Sequence, residues 1–170
     1  METYSLCAIA VGSVACVTDL RSRRIPNELT FGAAGLAVLF HATAPAGAGF
    51  MSAATGWLVG AAIMFLPFAL GGLGGGDVKL LAALGAWVGP VNAIWVGLYA
   101  GTAGAVMALL VALYSGYTRQ ALSNVWLLLQ HWRVAGIHQL KDISLEGSGG
   151  PRLAYALPIF AGLLIATWLH

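Results

Sequence analysis

Two aspartates are set apart from the other acidic residues of this chain. Of its six acidic residues, Glu2, Glu28, Asp142 and Glu146 fall in expected loops or tails, where a solvated charge needs no special account. Asp19 instead closes an apolar run of about fifteen residues. Asp77 opens another, directly behind Gly71-Gly72-Leu73-Gly74-Gly75-Gly76. Two carboxylates that face each other do not both ionise comfortably, so such a pair shares one proton near neutral pH. It then holds a base and an acid together. The ionised member can draw a proton from water while the protonated member donates to a carbonyl oxygen, which is the chemistry of peptide hydrolysis.

A plainer account competes with this one. Asp19 could pair with Arg21, Arg23 or Arg24, and Asp77 could pair with Lys79 as an ordinary charge at a helix start. The glycines weigh on the other side, because a run without side chains lets another backbone come close, as a peptide substrate beside Asp77 would need. A phosphate-binding loop is disfavoured: the Walker pattern needs Lys followed by Ser or Thr, and Lys79 is followed by Leu80.

What must position these residues is a set of membrane helices. The 170 residues are 59% hydrophobic and 8% charged, with mean hydropathy +0.85, whereas soluble domains carry roughly 25% charged residues. Apolar runs at residues 4–18, 29–44, 51–70, 78–89, 91–114 and 153–169, each bounded by charge, Gly or Pro, predict an all-α polytopic protein with about six transmembrane helices in one domain, residues 1–170. The first run carries only Glu2 ahead of it and its basic cluster behind it, so it reads as a helix and not as a cleaved signal. The run at 78–89 rises roughly 20 Å, short of a bilayer core. Either Pro90 kinks a longer span, or the glycine loop dips into the membrane with Asp77.

Threading six crossings puts all eight basic residues on one side, which the positive-inside bias makes cytoplasmic. Both termini then lie outside, loops 20–28, 71–77 and 115–152 lie inside, and Asp19 and Asp77 meet at the cytoplasmic border. Residues 117–141, with Leu122, Val125, Trp126 and Leu129 on one stripe, predict an amphipathic helix lying on the cytoplasmic leaflet. Cys7 and Cys16 sit inside the first helix at a spacing that suits neither zinc nor a disulfide. His41, His131, His138 and His170 form no ligand set, so no metal is expected. A transporter that uses the two aspartates for a cation or for protons is the main rival, but the matched halves common in such proteins are not evident.

The residues also carry a family resemblance. Thr18-Asp19-Leu20-Arg21-Ser22-Arg23-Arg24-Ile25-Pro26-Asn27, together with Gly74-Gly75-Gly76-Asp77-Val78-Lys79-Leu80, resembles the type IV prepilin peptidases of the GxGD aspartyl protease group. A weaker likeness lies in Ala154-Tyr155-Ala156-Leu157-Pro158. The resemblance implies that Asp19 and Asp77 are the catalytic dyad. Gly74, Gly75 and Gly76 would shape the loop that presents Asp77, and Arg23, Arg24, Pro26, Asn27 and Lys79 would support the site or bind substrate. It further implies an aspartic endopeptidase of the bacterial inner membrane that removes the basic leader from type IV or Flp prepilins.

The larger members carry a cytoplasmic domain with paired Cys-x-x-Cys motifs and N-methylate the new terminus. This chain has neither the length nor the cysteines. It is similar to the short tight-adherence type, for which no cofactor, no zinc and no methylation are expected. The implied partners are prepilin or pseudopilin helices and membrane lipid, with nucleic acid excluded and homo-oligomerisation left open.

Overall fold

The computed structural model describes residues 3–43, 48–116 and 154–170, with a few more between 118 and 130. Among them every regular element is helical. α1 spans Thr3–Ser22, α2 Asn27–Thr43, α3 Phe50–Ala69, α4 Gly75–Tyr114 and α5 Ala156–Leu169. α1, α3 and α4 are long and apolar enough to cross a membrane, and α5 is a shorter apolar helix. The amphipathic helix expected at 117–141 falls for the most part outside the described residues.

α4 is one continuous element of 40 residues only in name, because Gly89 has φ 81° and ψ 170° and precedes Pro90. The packing reveals what happens there. A Cβ on Gly85 would stand 3.2 Å from the Cβ of Ala93, whereas eight residues of straight helix span about 12 Å. On α3, Gly60 abuts Leu81 while Ile63, less than a turn away, abuts Gly97. The chain therefore folds back at Gly89-Pro90 into two antiparallel arms, residues 75–88 and 90–114. Pro90 is thus a reversal of direction and not the kink of a longer span, and the short fourth run is the first arm of a helical hairpin. Glycine at 89 supplies the positive φ the reversal needs, and proline fixes the residue that starts the second arm.

With that reversal the helices alternate in direction. α3 packs on the first arm of α4 so closely that a Cβ on Gly56 would collide with the Gly85 carbonyl, and one on Gly85 with the Gly56 carbonyl. Small residues at such crossings let helices meet where burial from water gives no drive. α5 runs antiparallel to the second arm, with Gly162 against Ala100 and Val96 and Tyr155 against Gly104. The buried centre is built from Leu80, Leu81, Leu84, Val96, Ile159 and Leu163, while Leu36, Leu58, Phe65, Leu98 and Val106 face outward. An apolar exterior around helices that cross at small residues is what a lipid solvent selects.

The two ends of the bundle differ chemically. At one end His41, only 4% exposed, accepts from the Ala48 N–H at Nδ1 (3.0 Å), so its Nε2 bears the proton and donates to the Trp87 carbonyl at 2.9 Å. The reversal at Gly89-Pro90 breaks the helical ladder just past Trp87, and His41 serves this carbonyl. The histidine outside any ligand set is therefore a staple of the hairpin. The other end gathers Arg23, Arg24 and Lys79 around Asp19 and Asp77. Cys7 and Cys16 are free thiols.

Candidate active site

The charged end is built by how three helices stop and start. α1 ends when Arg23 takes φ 51° and its N–H closes on the Asp19 carbonyl at 2.8 Å, a left-handed cap that glycine usually fills. Arginine in that conformation costs on the order of 1 kcal/mol. The turn sends the chain through Ile25-Pro26 into α2, so Asp19 stays in the last turn of α1 with the loop folded beside it.

The glycine run divides its tasks. Gly71, with φ 78°, ends α3: its N–H reaches the Phe68 carbonyl and the Gly72 N–H reaches the Pro67 carbonyl, both at 2.9 Å, the double closure of a Schellman motif. Gly74 is extended and caps α4. Gly75 and Gly76 are already in the first helical turn, where Phe68 and Ile25 pack against them. The run is thus not one extended edge. Its glycines serve a stop, a cap and a close approach in turn.

Asp77 lies at the third position of α4. Its N–H donates to the Gly74 carbonyl at 3.1 Å, and the Gly74 N–H donates back to Asp77 Oδ2 at 3.0 Å. This is the reciprocal logic of a capping box, with backbone in place of the usual hydroxyl. Asp19 is held from a different helix: the Ala156 N–H at the start of α5 donates to its Oδ2 at 3.2 Å. Both side chains are nearly withdrawn from solvent, Asp19 at 8% exposure and Asp77 at 9%. They line one cavity of about 400 Å³ with Arg23, Arg24, Ile25, Pro26, Asn27, Gly74, Gly76 and Lys79. Asp19 is close enough to act on Asp77 electrostatically.

The ordinary ion pair between Asp77 and Lys79 is not what the side chains form. Lys79 Nζ donates to Asn27 Oδ1 at 3.0 Å and sits 5.5 Å from the centre of the Phe31 ring, a cation–π contact. Lys79 therefore ties the start of α4 to the start of α2, and Ile25 packs on Gly76 beside it. The structure thus brings together Asp19, Asp77, Gly74, Gly76, Lys79, Arg23, Arg24, Pro26 and Asn27, while Gly75 turns toward Phe68. Sequence reasoning assigned nothing to Tyr155-Ala156, which closes the site from α5. The weak likeness in that stretch was the available signal.

Two carboxylates in one partly desolvated cavity, each tied to a backbone N–H through one oxygen, can hold a water between an acid and a base. Residues 6–111 match the model of the type IV leader peptidase family; no curated protein and no solved structure matches the chain. The matched residues contain both aspartates and the helices that carry them, and end before α5. With more than half of its length matched, and with both sequence blocks folded around one cavity, the chain belongs to the type IV leader peptidase family.

Proposed function

We propose that this protein is an aspartic prepilin leader peptidase in which Asp19 and Asp77 are the catalytic dyad. The observation that carries the reading is their convergence: from different helices they line one cavity, each anchored by a backbone N–H. In the reaction the ionised carboxylate takes a proton from water, and the water oxygen attacks the peptide carbonyl carbon. The protonated carboxylate gives its proton to the carbonyl oxygen. Collapse of the tetrahedral diol breaks the C–N bond, and the proton taken from water passes to the departing amine.

The remaining residues act by support. Gly74 and the first turn of α4 orient Asp77. Lys79 and Asn27 hold α2 to α4, and Arg23, Arg24 and Pro26 shape the rim where substrate enters.

The whole chain is one membrane domain of six spans, the two arms of α4 counting separately. Arg21, Arg23, Arg24 and Lys79 at the dyad's end support a cytoplasmic placement of that end, with both termini outside in a bacterial inner membrane. A substrate whose basic leader precedes an apolar helix would present its junction at this depth. The natural substrates in this reading are type IV or Flp prepilins, cut without N-methylation.

The test is cleavage of a co-expressed Flp-type prepilin, read by gel shift. Wild type is expected to process it, and Asp19→Asn and Asp77→Asn are each expected to lose at least about 100-fold in rate, the scale of general acid–base catalysis, at normal protein levels. Undiminished processing by either variant removes that aspartate from the chemistry.

A further inference from the structure

The first turn of α5 lies beyond the residues matched to the family, yet it closes the site. Ala156 is the first residue of α5, so its N–H has no carbonyl within the helix to receive it. Asp19 Oδ2 receives it instead, at 3.2 Å. This contact depends on where α5 begins. Sliding a helix by one residue moves each N–H about 1.5 Å along the axis and turns it by about 100°, enough to break the bond.

The residue that precedes α5 is itself seated on a neighbouring helix. The Tyr155 ring lies on Gly104 of the second arm of α4, where a Cβ would come within 2.6 Å of the hydroxyl oxygen, 2.7 Å of Cε2 and 2.8 Å of Cζ. With a larger residue at 104 the ring could not keep this position. The hydroxyl points toward the Ala100 carbonyl at 3.4 Å, a long contact that adds little beside the shape fit. Tyr155 is also near enough to Asp77 to interact with it electrostatically. One side chain thus touches the second arm, neighbours Asp77, and precedes the N–H that holds Asp19.

We propose that Tyr155 is a positioning residue of the active site: seated in the notch at Gly104, its ring sets the start of α5 so that the Ala156 N–H holds Asp19 in the cavity it shares with Asp77. The proposal rests on the dyad reading. Tyr155 acts through Asp19, so its loss should lower turnover and leave substrate binding in place.

The experiment uses the full chain in detergent with a purified Flp-type prepilin, measuring kcat and KM. Tyr155→Ala and Gly104→Ala are each expected to lower kcat by about 10- to 100-fold with KM within about twofold, the scale that a misplacement of about 1 Å commands. Tyr155→Phe keeps the ring and is expected to stay within about threefold of wild type. Gly101→Ala, on the same arm with open space around it, should behave as wild type. Wild-type kcat in Tyr155→Ala or Gly104→Ala, or a loss confined to KM, overturns the assignment. So does a Tyr155→Phe enzyme losing more than about 10-fold in kcat, which would give the hydroxyl a chemical role; this variant preserves the packing and reads that outcome even where the smaller side chains prevent folding. Asp19→Asn and Asp77→Asn run alongside. If they are inactive while Tyr155→Ala cleaves normally, only the positioning role fails; if they cleave normally, the dyad reading itself fails.

Discussion

His41→Ala tests whether the histidine is a staple of the hairpin and not a part of the chemistry. The substitution removes an imidazole that is 4% exposed and strands two backbone groups, the Trp87 carbonyl and the Ala48 N–H. A buried polar group left without a partner costs about 1–3 kcal/mol, and the N–H, being only part-buried, falls toward the lower figure. The ring also contacts Phe40, with centroids 5.4 Å apart, and Tyr4, at 5.8 Å. The Trp87 indole N–H is buried with no partner among the described residues. The total loss is expected at about 2–4 kcal/mol, which lowers Tm by on the order of 5–10 °C for a chain of this size. Thermal unfolding in detergent, with leader cleavage measured well below the transition, reads both quantities. His170→Ala is the comparison, because that ring is exposed and stacks on Trp95 at 4.3 Å; its effect should be under about 1 kcal/mol. An unchanged Tm in His41→Ala would refute the staple. Loss of cleavage in a variant that remains folded would refute the separation of the two ends.

Two further outcomes follow from the same packing. Gly85→Ala places a methyl against the Gly56 carbonyl, so α3 and the first arm must separate; destabilisation of about 3 kcal/mol or more is expected, seen as loss of folded protein on size exclusion, and a normal elution profile would argue against so close a crossing. Lys79→Met and Asn27→Ala are expected to be coupled by about 0.5–1 kcal/mol in a double-mutant cycle on stability, the range for an exposed polar pair, and strict additivity would mean that the contact between α2 and α4 does not form.

Much of the candidate site was legible before any fold. Asp19 and Asp77 are the two carboxylates that interrupt apolar sequence, and charge at membrane depth is expensive enough to mark function. The apolar runs likewise located the helices, because a bilayer needs long unbroken apolar stretches. The run at 78–89 is short for a crossing and its course needed the structure, since only the contacts of Gly85 with Ala93 and of Ile63 with Gly97 distinguish a reversal from a kink. Gly71 through Gly76 read as one loop open to a close backbone, and the structure assigned its members separate tasks.

Sequence by itself thus determined the apolar character of the helices, the two carboxylates proposed as the dyad and the company of basic residues around them, because hydropathy, charge and motif spacing are local properties of the chain. Tertiary structure decided the partners. Lys79 bonds to Asn27 and not to Asp77, His41 serves Trp87, and the donor to Asp19 comes from Ala156 at the far end of the chain. Such pairings depend on which helices lie side by side and in what register, and that is fixed by the fit of small residues such as Gly56, Gly85 and Gly104 against a neighbouring backbone or ring, which no local pattern encodes.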